Sequence, residues 1–409
     1  MRKNKPLLIF LWLFLIIMLT SCAIQGTAPA SGDKESLAEG QTSRDLGGKN
    51  PGDDEEDPEE KLNKEILKML QEMTLEEKIG QMVFVGFEGP GVDDHVESMI
   101  REHQIGGLIL FERNIEDEDQ LTSLTAGLKA VNKDNRLPLF IAVDEEGGRI
   151  SRLPKGSPRF PSGKALGERG DPDYSFTVGQ EIGTALAAFG FNMNFAPVLD
   201  IFSNPQNEVI GDRSFGDNPE IVSKLGTAMM RGLQSKNIIP VVKHFPGHGD
   251  TRMDSHIDLP VVEHGRERLD GFEFVPFKEA IDSGAEAIMT AHIMYPELDP
   301  EKPATMSGKI LTDILRHDLG FKGLIITDDL EMGAITKDYA VDEAAKEAVL
   351  AGADVLLICH SSDYQEQVLS RLIAAVQNGE LTMERIDESV ARIIRLKQKY
   401  SASGIIDSI

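Results

Sequence analysis

An aspartate two residues ahead of a histidine, Asp254-Ser255-His256, is the smallest unit in this sequence that could move a proton. In an extended segment residues i and i+2 project to one side, so the Asp254 carboxylate would hold one ring nitrogen of His256 and fix its tautomer. The other nitrogen would then be left to give and take a proton. The same residues also suit an Asx turn that stabilises a surface loop, and the spacing alone favours neither reading. The pair closes the stretch Lys243-His244-Phe245-Pro246-Gly247-His248-Gly249-Asp250-Thr251-Arg252-Met253-Asp254-Ser255-His256. His244 and His248 have the i, i+4 spacing of a helical zinc pair, but Pro246 and Gly247 break any helix between them, so no metal site is expected. A second candidate is Asp328-Asp329, directly after the apolar run Gly323-Leu324-Ile325-Ile326-Thr327. Two carboxylates at the end of a buried strand are costly without partners or a task. If strand geometry persists they point to opposite sides: one can face inward as a nucleophile while the other caps the next turn, or both can simply cap a helix.

Groups so far apart in sequence need a scaffold that gathers them. Eight short apolar runs recur at 81–87, 106–111, 137–144, 192–201, 238–244, 287–293, 323–329 and 355–360, and segments such as 217–236, 274–283 and 340–351 have helical periodicity. Continuous apolar strands alternating with helices indicate a parallel sheet covered on both faces. Eight of them in about 340 residues fit a closed (β/α)8 TIM barrel better than a doubly wound open sheet. The runs end in Asp144, Asp200, Lys243-His244, His292, Asp328-Asp329 and His360. Charge gathered at strand C-termini is where barrel enzymes build their sites, whereas an open sheet would spread it along an edge. Folded structure is expected from Leu62, with Thr74-Leu75-Glu76-Glu77 as a helix-capping box. The last helix, 383–400, carries Ile386, Val390, Ile393, Ile394 and Leu396 on one side and should close the barrel. One catalytic domain over 62–409 is therefore expected, with no room for a second.

Five separated blocks resemble the family 3 glycoside hydrolases, in the branch of the β-N-acetylhexosaminidases. They are the Lys243 to His256 stretch, Asp328-Asp329-Leu330-Glu331-Met332, Asp144-Glu145-Glu146-Gly147-Gly148-Arg149 with Arg152, Asn194-Phe195-Ala196-Pro197-Val198-Leu199-Asp200, and Ile210-Gly211-Asp212-Arg213-Ser214-Phe215-Gly216. The likeness runs over 62–400. It implies a retaining enzyme that removes terminal β-linked N-acetylglucosamine from cell-wall glycans or muropeptides, without a cofactor. By the same resemblance Asp328 is the nucleophile that forms a covalent glycosyl-enzyme, His256 the acid/base and Asp254 the residue that orients it. Asp144, Arg152, Arg213, Lys243 and His244 would bind the sugar, with Asp200 and His292 lining the site. A histidine acid/base departs from the usual pair of carboxylates about 5–5.5 Å apart. It avoids a second negative charge beside the nucleophile. Three alternatives remain: a β-glucosidase of the same family, a phosphorylase that uses phosphate in place of water, and a catalytically silent muropeptide-binding lipoprotein. The first lacks its further domain here, and intact Asp254, His256 and Asp328 argue against the last.

A formal net charge of −26 over 409 residues repels phosphate backbones, which excludes nucleic acid as a partner. At the N-terminus Arg2, Lys3 and Lys5 precede an apolar run at 7–19, too short to span a bilayer comfortably. It ends in Leu19-Thr20-Ser21-Cys22, which resembles the lipobox of bacterial lipoproteins. That implies loss of 1–21, lipidation of Cys22 and an extracytoplasmic enzyme held at the cell membrane by its lipid. An uncleaved anchor helix is the alternative. Residues 22–61 are polar and end in an acidic run at 53–60, predicted to be a disordered, extended tether. With Cys22 acylated only Cys359 remains, so no intramolecular disulfide is expected. A tethered monomer accounts for these features.

Overall fold

The computed structural model describes residues 57–401; the predicted leader, the lipidation site Cys22, the tether as far as residue 56 and the last eight residues lie outside the described residues. Eight parallel strands form a closed barrel in sequence order: β1 (Val83–Val85), β2 (Gly107–Leu110), β3 (Phe140–Val143), β4 (Met193–Asn194), β5 (Ile239–Phe245), β6 (Ala287–Thr290), β7 (Leu324–Asp329) and β8 (Val355–Ile358). Closure comes from β1 lying beside β8, with Val83, Phe84 and Val85 opposite Leu356, Leu357 and Ile358. The strands are apolar along most of their length, with polar residues gathered towards their C-terminal ends, because the inward side chains fill the barrel while the outward ones meet the helices. Gly107 faces the Phe84 and Phe140 rings; a Cβ there would lie 2.7 Å from the Phe140 carbonyl oxygen, so the pair of rings leaves room for nothing larger.

The expected strand at 192–201 pairs as a ladder only over Met193–Asn194. Side-chain amides extend it instead: Asn192 bonds the backbone of Leu139 and Ile141, and Asn194 bonds both the N–H and the carbonyl of Glu145. Pro197, which has no N–H to give, follows directly. The helices at Pro219–Gln234, Phe274–Asp282 and Val341–Ala351 follow the periodicity of the sequence closely. Thr74 and Glu77 form the expected capping box.

The first helix, Pro58–Glu72, opens before the expected start at Leu62. Asp57 caps it by accepting from the Glu59 N–H, and Glu59 and Glu60 occupy the first turn. Carboxylates there meet the positive end of the helix dipole, so the end of the acidic run coils rather than staying extended. The final helix, Met383–Ser401, buries Ile386, Val390, Ile393 and Ile394, as its spacing demands. It also sends Lys397 beneath the barrel. The Lys397 ammonium donates to Gln81 Oε1 at 2.7 Å and the Gly106 carbonyl at 2.9 Å, and lies 4.9 Å from the centre of the Phe140 ring. Burial pushes it well below the ordinary lysine range. The N-terminal end of the barrel is thus plugged, and the open end is the one that carries the charge.

Candidate active site

The C-terminal ends of the strands enclose a cavity of about 350 Å³, lined by Asp144, Glu146, Arg152, Arg213, Lys243, His244, His256 and Asp328 among others. That is the small end of the range for ligand clefts and suits one sugar ring rather than a chain of them. β7 ends in the two aspartates, and both line the cavity but spend their carboxylates differently. Asp328 faces the cavity, and its Oδ1 accepts from the Asp329 N–H at 2.9 Å. Burial alone would raise its carboxyl; the neighbouring His244, the Asp329 N–H and Lys243 overcome this and hold it below the usual range, so it stands ionised at neutral pH. Asp329 turns to the backbone and accepts from the N–H groups of Glu331 and Cys359, tying β7 to β8. Beneath Asp328, His292 is fully buried; its Nε2 donates to the Asp329 carbonyl and its Nδ1 accepts from the Thr305 hydroxyl. Burial keeps that ring neutral by lowering its pKa.

One wall is a cluster of ions. Lys243 is paired with both Asp144 and Glu146, the latter at 2.8 Å, and Arg213 grips Glu146 with two bonds of 2.8 Å. Burial disfavours the charges of Glu146, Arg213 and Lys243, but the two cations carry Glu146 far below the ordinary carboxylate range. Lys243 thus both pairs within this wall and lines the cavity. Arg149, from the same block as Asp144, bonds to Asp212 at 2.6 Å and to the carbonyls of Glu208 and Val209, outside the cavity. Arg152 lines the cavity with a buried Nε that has no hydrogen-bond partner among the described residues, a donor left for a ligand. His244 donates from Nδ1 to Asp200 at 2.7 Å, which leaves Nε2 turned towards the site.

Asp200 also anchors the segment that leaves β5. It accepts from the His248 N–H at 2.6 Å, while Asn207 donates to the His248 and Gly249 carbonyls. From this fixed root the chain rises to a tip at 252–257. There Asp254 Oδ1 accepts from the His256 N–H at 2.9 Å and from its ring Nδ1 at 2.7 Å. The pairing and the Asx turn coexist, since the turn is what brings carboxylate to ring. The geometry differs from the extended segment expected: the Ile257 and Asp258 N–H groups donate to the Asp254 carbonyl, closing a turn. Because a carboxylate only accepts, the His256 proton sits on Nδ1 and Nε2 is free. Asp254 stands behind the ring and off the sugar cavity, and the His256 side chain is 66% exposed. The tip rests on the turn after β7, where the Gly333 and Ala334 N–H groups donate to the His256 and Ser255 carbonyls. A Cβ on Gly333 would lie 2.7 Å from the carbonyl oxygens of both His256 and Ile257, so only glycine permits this contact.

His248 holds root to tip. Its ring nitrogens meet the Thr251 hydroxyl at 2.9 Å and the Ser255 hydroxyl at 3.0 Å. Burial, followed by the neighbouring His244, pushes its pKa down from 6.5 to about 4. In the unfolded chain the ring takes a proton near pH 6.5, which the folded chain refuses until about pH 4. Folding stability should therefore fall as pH drops through that window, by on the order of 3 kcal/mol, and level off below it. Thermal melts of the wild type and His248→Gln between pH 7 and 4 check this. The variant should lose stability less steeply, and parallel curves would refute the assignment.

The sequence reading placed ten residues at this site, and seven of them line the cavity: Asp144, Arg152, Arg213, Lys243, His244, His256 and Asp328. Asp254, Asp200 and His292, also expected there, stand outside it and bond instead to His256, to His244 and to the Asp329 carbonyl. Glu146 was missed as a site residue, although it lies two positions after Asp144 and the same alternation would have brought it inward. His360 closes the far side, stacked on Phe111 and bonded to Asp329 at 3.2 Å.

Residues 74–396 match the family model described as the glycosyl hydrolase family 3 N-terminal domain. The chain is 39% identical to a protein named beta-hexosaminidase A of Pseudoalteromonas piscicida, over 76% of this chain and 56% of that one. It is 40% identical to a beta-hexosaminidase of Nitrosomonas eutropha, over 72% of this chain and 86% of the relative. Among solved structures, a family 3 beta-N-acetylglucosaminidase from a Paenibacillus species superposes with a TM-score of 0.80 at 45% identity, covering 82% of this chain and 64% of that one. The chain thus spans little more than half the length of the first relative and under two thirds of the solved structure.

Proposed function

The chain belongs to glycosyl hydrolase family 3, and from that premise we propose that it is a retaining exo-β-N-acetylglucosaminidase acting on peptidoglycan fragments. The observation that carries this reading is the single cavity shared by an ionised Asp328 on its floor and an oriented His256 on its flap. A cavity of one-sugar size fits removal of terminal residues, one at a time. Asp328 attacks the anomeric carbon from below while His256, entering this step as the imidazolium, gives its Nε2 proton to the leaving oxygen and returns to the neutral ring with Nδ1–H held by Asp254. The departed group gives way to water, and the same imidazole takes its proton as the covalent glycosyl-enzyme is hydrolysed. Asp144 accepts hydrogen bonds from ring hydroxyls, and Arg152, Arg213, Lys243 and His244 bind their neighbours or the N-acetyl group. Asp254 holds the acid in register. The names of the relatives support the hexosaminidase class.

On the sequence features of the first 22 residues, we read the mature chain as lipid-anchored at Cys22 and working outside the cytoplasm, where cell-wall fragments are met. Water then outcompetes phosphate as acceptor. Incubating the purified protein with defined muropeptides, with and without phosphate, checks substrate and acceptor at once. Free N-acetylglucosamine in both incubations is the expected product. N-acetylglucosamine 1-phosphate would convert the reading to a phosphorylase, and intact muropeptide would remove peptidoglycan from the substrate list.

A further inference from the structure

We propose that a second cavity, on the outer side of the flap, seats the leaving group and selects one that carries a carboxylate. This rests on the reading of the chain as an N-acetylglucosaminidase. The cavity measures about 560 Å³ and shares Ile150, Val209, Arg213 and His256 with the sugar pocket. Its position follows from the tautomer of His256. With Nδ1 committed to Asp254, the proton must leave from Nε2. The glycosidic oxygen it serves lies where the two cavities meet, and whatever hangs from that oxygen extends into the second.

The charge of this cavity points to the ligand class. Of the arginines on its walls, Arg213 is matched by Glu146 and Arg149 by Asp212. Arg252, two residues before Asp254 on the flap, is exposed and has no ion-pair partner among the described residues. Two carboxylates also line the cavity. Asp254 is engaged by His256, and Glu208 makes no ion pair with Arg252. An unmatched guanidinium at the edge of a leaving-group cavity is a carboxylate receptor. Met253 and Ile257 add exposed apolar surface beside it. A muramic acid leaving group presents a lactyl ether, a short apolar arm that ends in a carboxylate or continues into peptide.

Three substrates separate the possibilities: the disaccharide N-acetylglucosaminyl-N-acetylmuramic acid, its lactyl methyl ester, and 4-nitrophenyl N-acetylglucosaminide. The wild type should favour acid over ester by about fivefold in kcat/KM, chiefly through KM, as befits a partly exposed ion pair. Arg252→Ala should bring that ratio towards one, Arg252→Lys should restore part of it, and added salt should erode it in the wild type. A ratio of one in the wild type, or a ratio that survives Arg252→Ala, overturns the subsite. A wild type that cleaves the nitrophenyl glycoside but treats acid and ester alike overturns the subsite alone. Failure to cleave any of the three overturns the underlying activity as well.

Discussion

Asp328→Ala should lower kcat/KM for an aryl N-acetylglucosaminide by on the order of 10⁴, the scale of loss when a covalent nucleophile is removed. The expectation turns on the adjacent pair. Asp328 faces the cavity and is held ionised against its own burial by the groups around it. Asp329 spends its carboxylate on the N–H groups of Glu331 and Cys359 and on His360, and so ties the ends of β7 and β8 together. Asp329→Asn should therefore cost stability more than chemistry, whereas Asp328→Ala should melt near the wild-type temperature and turn over almost nothing. A fluorinated glycosyl donor that forms the intermediate but hydrolyses it slowly gives a second readout. Mass spectrometry of the digested protein should find the sugar on the peptide containing Asp328. A label on any other side chain, or an Asp328→Ala protein with a tenth of the original rate, would remove the nucleophile assignment.

The barrel was legible because its signals are local and repeated. Val83–Val85, Val355–Ile358 and the first half of Leu324–Asp329 are apolar on both faces, which only a sheet covered on both sides permits. Charge at the strand ends then located the site. What stayed hidden depends on partners far apart in sequence. Nothing near Lys397 says that it will cross beneath the barrel to Gln81 and Gly106, since a lysine on an amphipathic helix ordinarily lies outward. The short ladder at β4 was obscured because Asn192 and Asn194 do with side chains what the backbone does elsewhere. The start of the first helix was missed because a run of like charge predicts extension, while Asp57 as a cap and the dipole behind it reward coiling. Within the site, the Asp254–His256 pair and an Asx turn were each readable as alternatives, but not that one turn serves both, because Asp254 accepts from backbone as well as ring and the spacing is the same either way.

His256→Ala should produce a defect whose size depends on the leaving group. For a disaccharide, whose departing oxygen needs a proton, the loss should be about 10²–10⁴ in kcat/KM, the usual contribution of a general acid. For a dinitrophenyl glycoside, which leaves as a stable anion, the first step should be almost unimpaired. The second step still needs a base to deprotonate water, and the same imidazole supplies it. Glycosyl-enzyme should therefore accumulate, so that the variant releases a burst of dinitrophenol matching the enzyme concentration and then turns over slowly. The wild type should show no such burst. This pattern follows from the geometry of one ring, with Nδ1 held by Asp254 and Nε2 alone free to face the cavity. A residue that only shaped the flap would slow both substrates alike and leave no intermediate behind. Equal losses for the two leaving groups, without a burst, would mean that His256 holds the flap and that another group carries the proton.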